Sequence, residues 1–347
     1  MVVMPTLSDV ASQARVSIAT VSHVLNGTRP VREETRLRVE RAVEEVGYRR
    51  DRLARALRRN RTDTVGLVVS DPAQPVFAQM IHGVELEAQT AGYTVMLAMS
   101  SDDAAQELEA IVKLKEHRVD GIILSESSHM LDRFDEILRG DEIPLVLLDR
   151  LASRTLDQVG AETVAPMKAL VDHLIDNGCT DIGMIAGDLA VPTLKERFEG
   201  YRLALESAGL PVREDRIITG VRTERETWAA MRPVLQGATR AEAYVTASTN
   251  LTAGFLRAMR DVGVQAPDDV KLVSFDELPY ADFFAPRITS VVQPAVEMGR
   301  LAMRLLLRRL NAPDSRPQTT RLRPWIAHRE TCGCPPGTPS PFPEFAG

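Results

Sequence analysis

Residues 6–27 read TLSDVASQARVSIATVSHVLNG, and the spacing within them predicts two short helices joined by a tight turn. Thr6 stands where an N-cap belongs, with Asp9 three residues on, a capping-box pair that satisfies orphan N–H groups of a first turn. Leu7, Val10, Ala11 and Ala14 recur at helical intervals and make one apolar face. The turn falls at Ala14-Arg15-Val16. Ser17 then caps a second helix whose Val21, Val24 and Leu25 face inward, and Asn26-Gly27 ends it. The other face carries Ile18, Ala19, Ser22 and His23, with Thr20 near the first turn. Short hydroxyl and small apolar side chains on an exposed helix suit close approach to a DNA groove: hydroxyls and the helix N-terminus bond phosphates while the rest touch base edges. A third helix, Glu33 to Val46, stacks Val39, Ala42, Val43 and Val46 on the first two before Gly47. Taken alone, the pattern also fits any small helical bundle.

Charge sorts along the chain in the same sense. Residues 1–61 hold 13 Arg, no Lys and 7 Asp or Glu, a charge of +6 in a chain whose total is −6, so the remainder carries −12. A basic head on an acidic body suits a protein of which only one end sits on phosphates.

The DVA triplet, the VS-x-x-TVS-x-VLNG run, the TR-x-RV stretch and GY followed by ARAL together resemble the lactose-repressor (LacI-type) family of bacterial transcription regulators, and the likeness continues through most of the chain. The resemblance implies that the segment after the third helix, Asp51 to Arg58, becomes a hinge helix on DNA. Leu53 and Leu57 lie one turn apart there, and Leu57 would be the wedge that enters the minor groove and partly unstacks a base step. Ala54 lies on the same segment, and Arg55, Arg58, Arg59 and Arg61 would meet flanking phosphates. The other reading is that Leu53 and Leu57 pack on the domain below. The head also departs from the family. Arg15 replaces the usual turn Gly, Arg32 the usual Ser cap, and Arg50 the Pro before the hinge, while His23 stands where some relatives carry a base-reading Arg.

Beyond Arg61, apolar runs at 65–69, 93–98, 121–124 and 145–148 alternate with helix-length amphipathic stretches, and a second set follows at 182–186, 217–218, 243–247 and 271–275. That βαβ rhythm predicts parallel sheets with helices on both faces. The expected fold is α/β: a helix-turn-helix head (1–50), a hinge (51–61), and a two-lobe periplasmic-binding-protein-like domain with parallel sheets (62–334). By resemblance the N-lobe takes about 62–162 and 292–324 and the C-lobe about 163–291 and 325–334, with ligand held between them. Open α/β sheets bind ligands outside the carboxyl ends of their strands. Residues 335–347, rich in Pro and Gly, read as a disordered tail.

In the cleft, the resemblance places Asp71 and the loop ending in Phe77 after the first strand, with Phe77 available to stack on a ligand ring. It puts Asp149 and Arg150 at the end of the fourth strand. KERFEGY makes Arg197 a bidentate donor to ligand oxygens, and SFDE keeps Asp276 as an acceptor for hydroxyls facing it across the cleft. Where the family commonly has Asp-Asn and Asn-Asp, this chain has Glu162-Thr163 and Ser248-Thr249. Arg222 falls near a position where an aromatic residue often covers a sugar. A lost carboxylate and amide with a gained cation point to an acidic or phosphorylated sugar-like effector; the alternative is that Arg222 faces solvent.

Cys332-Gly333-Cys334 offers two thiols with no nearby His pair, too few for zinc, so no metal and no cofactor is expected. Three cysteines suit a reducing cytoplasm. No signal peptide or membrane span is expected, because Met1 leads straight into the first helix. The chain has no P-loop, GxSxG, HExxH or GxGxxG, which leaves an enzyme without chemistry. The expectation is a cytoplasmic, nucleoid-associated repressor of a catabolic operon. It would act as a homodimer or an assembly of dimers on a pseudopalindromic operator, with Ile18, Ala19 and His23 on bases and Ser17, Thr20, Ser22 and Asn26 setting the register. A small-molecule sugar or sugar acid in the cleft would control it; the competing reading is a degenerate cleft controlled by a protein partner.

Overall fold

A computed structural model describes residues 5–26, 29–48, 61–127 and 143–334, apart from 152, 154, 238 and 239. The chain divides into two compact units, Met1–Thr62 and Asp63–Gly347. The hinge residues Leu53, Ala54, Leu57 and Arg58, Arg50, Gly27, the side chain of Asn26 and the tail lie outside the described residues.

The first unit is built from α1 (Leu7–Ala14), α2 (Ile18–Asn26) and α3 (Glu33–Val46). Its N-terminal capping box forms as the residue types predict: the Asp9 N–H donates to Thr6 Oγ1, and the Thr6 N–H donates to Asp9 Oδ2 at 2.7 Å. Arg15 ends α1 in the left-handed region, φ 52° and ψ 48°, and the Val16 N–H donates back to the Ala11 carbonyl at 3.0 Å. A Cβ in that conformation costs roughly 1–2 kcal/mol, which is why a glycine suits the position better. Ser17 caps α2, its Oγ accepting the Thr20 N–H at 3.1 Å. Arg32 gives α3 no side-chain cap. Val10, Ala11, Ala14, Val21, Val39 and Ala42 are buried together, with Val24, Leu25, Val43 and Val46 packed on them.

The second unit holds two six-stranded sheets. The first runs β11-β5-β4-β3-β1-β2 and the second β12-β10-β9-β8-β6-β7. In chain order the strands are β1 (Thr64–Val69), β2 (Thr94–Met99), β3 (Gly121–Leu124), β4 (Leu145–Leu148), β5 (Asp157–Ala161), β6 (Ile182–Gly187), β7 (Ile217–Thr219), β8 (Ala243–Thr246), β9 (Lys271–Phe275), β10 (Thr289–Val292), β11 (Thr319–Leu322) and β12 (Trp325–Ala327). Every pairing is parallel except β10 with β12. The central strands are buried end to end, so they read as continuous apolar runs rather than alternating ones.

The helices are α4 (Pro75–Ala91), α5 (Ala104–Glu116), α6 (Val164–Asp176), α7 (Pro192–Ser207), α8 (Glu224–Gln236), α9 (Thr249–Val262) and α10 (Ala295–Asn311). The chain passes between the sheets three times: from β5 to α6, from β10 to α10, and from β11 to β12. After the second passage α10 packs on α4, backbone against backbone. A Cβ on Gly83 would lie 2.0 Å from the Val296 carbonyl oxygen, and one on Gly299 2.1 Å from that of Met80. Only glycine permits this approach. The end of α10 is anchored as well, because Arg308 and Arg309 reach the buried carboxylate of Asp157 at 2.6 and 2.7 Å. No helix among the described residues is long and apolar enough to cross a membrane.

Candidate functional site

Residues that follow strands of both sheets line one cavity of about 80 Å³. Asp102 follows β2, Asp149 and Arg150 follow β4, Asp188 follows β6, Ser248 follows β8, Asp276 follows β9 and Gln293 follows β10. This is where an open parallel sheet leaves backbone groups and side chains unengaged. Three helices also begin at the wall, at Gln74 (α4), Val191 (α7) and Ser248 (α9), and none of the three has a side-chain cap. Pro75 and Pro192 open two of them without an N–H, and the remaining first-turn N–H groups are donors that a ligand oxygen can use.

Asp149 and Asp276 hold equivalent places in the two sheets. Each ends its strand in the left-handed region, at φ 72° and φ 73°, a conformation aspartate adopts more readily than most residues. Asp276 accepts from Arg197 Nη1 at 2.8 Å and from Gln293 Nε2 at 2.5 Å. Arg197 also donates to the Ala247 carbonyl at 2.6 Å and lies over the Phe275 ring at 3.9 Å, while its Nε has no partner among the described residues. Arg197 and Asp276 thus do not face each other across the cleft as the sequence suggested. Both stand on the side of the second sheet and are paired, because a buried guanidinium and a buried carboxylate this close compensate each other's desolvation.

Arg150 is likewise occupied: its Nη1 donates to Asp102 at 2.5 Å and to the Glu126 carbonyl at 2.7 Å. Arg222, expected as the cation for an acidic effector, is 60% exposed and paired with Asp188. Its charge is neutralised in place. Asp149 makes no ion pair among the described residues, and burial pushes its carboxyl up to about 6 against the pull of Arg150 and Arg197.

Two expected effector residues stand apart from the cavity. Asp71 turns the β1–α4 loop, its carboxylate accepting the Ala73 N–H at 2.9 Å. Glu162 lies in the first passage between sheets, its N–H bonded to the Leu322 carbonyl, and it does not line the cavity. Phe77 does line it, though only 3% exposed. Asp102, Asp188, Asn250 and Gln293 are lining residues that the sequence reading did not include. The signal for Asp188 and Asp102 was their place just past an apolar run.

In the helix-turn-helix, Ser17, Ile18 and Ala19 are exposed at the start of α2 and Thr20, Ser22 and His23 are half-buried, with Ile18 at 51% exposure. The expectation that the Cys332–Cys334 pair has no histidines near it is overturned. His173 and His328 lie beside it, because α6 and the segment after β12 pack together.

Residues 6–51 match the family described as bacterial regulatory proteins, lacI family, and residues 171–332 match the periplasmic binding protein-like domain. The HTH-type transcriptional repressor PurR of Photobacterium profundum is 30% identical over 329 residues, covering 94% of this chain and 98% of that protein. The ribose operon repressor of Escherichia coli (strain K12) is 31% identical over 329 residues, 94% of this chain and 99% of that one. Among solved structures, the complex of the transcriptional regulator CelR with cellobiose is 32% identical with a TM-score of 0.71, covering 94% and 99% of the two chains.

Proposed function

The chain belongs to the lacI family of bacterial regulatory proteins, and on that premise we propose that it is a repressor that binds a pseudopalindromic operator as a homodimer and answers to a neutral sugar. Ile18, Ala19 and His23 read base edges, while Ser17, Thr20, Ser22 and Asn26 fix the register on phosphates. Leu53, Ala54, Leu57 and Arg58 form the hinge contact with the minor groove. Exposed apolar side chains support self-association: Leu97 (46%) and Met99 (51%) on the edge strand β2, and Tyr280 (79%) and Phe283 (87%) after β9. A second copy covering them would bring two heads to two half-sites.

The choice of a neutral sugar rests on one observation: each arginine lining the cavity is already paired with an aspartate, while Asp149 makes no ion pair among the described residues. A sugar hydroxyl both donates and accepts, so it uses the carboxylates of Asp149 and Asp276 together with the helix N–H groups and Arg197. An anionic ligand would use only the donors and meet two carboxylates. Two of the reported relatives fit the same class, one being a ribose operon repressor and another a structure with cellobiose bound.

An inducing sugar must bind the DNA-free conformation more tightly than the DNA-bound one, as linkage requires. The test selects an operator from random duplexes with the full-length protein, then measures its affinity with neutral sugars and with sugar acids or phosphates. Selection of a two-fold symmetric site and a response confined to neutral sugars is expected. A response confined to the charged ligands overturns the neutral-sugar assignment, and failure to select any site overturns the DNA reading.

A further inference from the structure

His173, His328 and Cys332 each bring one potential ligand atom to a single point, the three lying within 4.8 Å of one another. Cys334 completes the group, its Sγ 3.2 Å from His173 Nε2. We propose that these four residues form a tetrahedral site for a zinc-class divalent ion, which fastens the last described segment of the chain to the end of α6.

The local structure assembles the four side chains from two places. His173 sits in the last turn of α6, and the other three follow β12 within seven residues. Gly333 has φ 82°, which turns the chain back so that Cys332 and Cys334 present their sulfurs to the same side. A side chain there would be strained, and its Cβ would meet Lys271 Cε at 3.0 Å.

The hydrogen bonding leaves a gap that an ion would fill. Cys332 donates to the Arg329 carbonyl at 3.1 Å, and Cys334 Sγ accepts from Asn177 Nδ2 at 3.2 Å. Both ring nitrogens of His328, however, are buried without a hydrogen-bond partner among the described residues, and the ring packs edge-on against His173 at 4.3 Å between centroids. Two imidazoles in edge contact with a nitrogen unsatisfied are an unfavourable arrangement for hydrogen bonding alone. An ion would take one of the two unpartnered His328 nitrogens.

Chemistry selects the ion. Zn–N bonds of about 2.0–2.1 Å and Zn–S bonds of about 2.3 Å set tetrahedral ligand separations of roughly 3.3–3.8 Å. The Cys334–His173 edge, at 3.2 Å, is already close to that, and the His173, His328 and Cys332 atoms lie within 4.8 Å of one another. Two thiolates and two neutral imidazoles cancel a divalent charge, which suits a partly buried place, and an S₂N₂ set favours zinc over the harder cations. Lys271, the nearest ammonium, donates to the Asn177 carbonyl at 2.9 Å. Asn177 then acts as an outer partner, holding Cys334 through its amide N–H.

The experiment takes the full-length chain, strips metal with a chelator under reducing conditions, and titrates Zn²⁺ or Co²⁺ alone. One ion per chain is expected, with thiolate-to-cobalt charge-transfer absorption that Zn²⁺ abolishes, and a thermal midpoint that rises with Zn²⁺ concentration. Cys334→Ser and His328→Leu should each weaken binding roughly a hundredfold or more while operator binding without metal is retained, which shows that both variants fold. Absence of stoichiometric binding, binding that neither substitution weakens, or a reduced protein that recovers only a Cys332–Cys334 disulfide on reoxidation and takes up no ion would overturn the site.

Discussion

Arg321, in β11 of the first sheet, donates to Glu196, on α7 beside the second, through Nη2 at 2.7 Å and Nη1 at 3.0 Å. The same carboxylate accepts from the hydroxyl of Thr163, at the first passage between sheets. Burial alone would push Glu196 up, but the hydrogen bonds from Arg321 and Thr163 hold it below the usual carboxylate range. The next residue is Arg197, which lines the cavity. One turn of α7 therefore touches the first passage between the sheets, the strand β11 that leads into the third, and the cavity-lining Arg197 at once.

Such a contact is placed to couple cavity and lobe movement. Arg321→Ala should leave sugar affinity within about threefold of the parent, since it removes nothing from the cavity, yet it should flatten the difference in operator affinity with and without sugar. The loss of stability should be small, about 1 kcal/mol or less, because Arg321 is 36% exposed. Full coupling in the variant, measured by operator titration at saturating sugar, would remove Glu196–Arg321 from the pathway.

The turn of the head carries a removable strain. Arg15→Gly takes away the Cβ that costs roughly 1–2 kcal/mol at positive φ, offset in part by the greater freedom of glycine in the unfolded chain. The net expectation is a head stabilised by about 1 kcal/mol, read as slower hydrogen exchange at amides of α1 and α3. Unchanged exchange would mean that the side chain of Arg15 repays its own strain.

Gly83→Ala tests the α4–α10 contact. Its methyl group would meet the Val296 carbonyl at 2.0 Å, and backbone cannot yield as a flexible side chain can. We expect a loss of about 3 kcal/mol, the upper part of the range for overpacking, visible as a lowered thermal midpoint. Gly92→Ala is the comparison: its Cβ would meet nothing within 4 Å, so its cost comes from φ 79° alone. Equal destabilisation by the two would refute the close-approach argument.

How much of this the sequence disclosed depended on how local each signal is. The three head helices follow residue by residue from caps and apolar spacing, because each is decided within a few residues. The eight strands of the two βαβ sets announce themselves as apolar runs, although β2 and β7 lie at the sheet edges and are not buried. Strands β5, β10 and β11, read DQVGA, TSVV and TTRL, are about half polar or more, so no apolar run marks them. In the cavity, Asp149, Arg150, Arg197, Arg222, Ser248 and Asp276 come together, but their mutual pairing does not follow from composition. Arg222 finds its partner 34 residues away, and Cys334 meets His173 across 161. Such separations are set by sheet order, which no spacing rule contains.

Glu107 gives the fold a pH dependence with a definite sign. It is fully buried on α5, its Oε2 accepting the Ser127 N–H at 2.5 Å while Oε1 has no hydrogen-bond partner among the described residues. Burial pushes its carboxyl up to about 7, against the lowering by Ser127 and Arg150. In the unfolded chain it titrates near 4.3, so between about 4.3 and 7 the folded protein holds the extra proton. The stability linked to protonated Glu107 is therefore fully present below that window and is lost as pH rises through about 7, a change of order 3 kcal/mol. Asp149, raised to about 6, acts in the same direction, so the parent alone does not isolate Glu107. Glu107→Gln does, since it keeps an oxygen for Ser127 and removes the charge. Urea unfolding at pH 5 and pH 8 should show the variant gaining on the parent by about 2–3 kcal/mol at the higher pH, and a pH-independent difference between the two would show that Glu107 does not titrate as its burial requires.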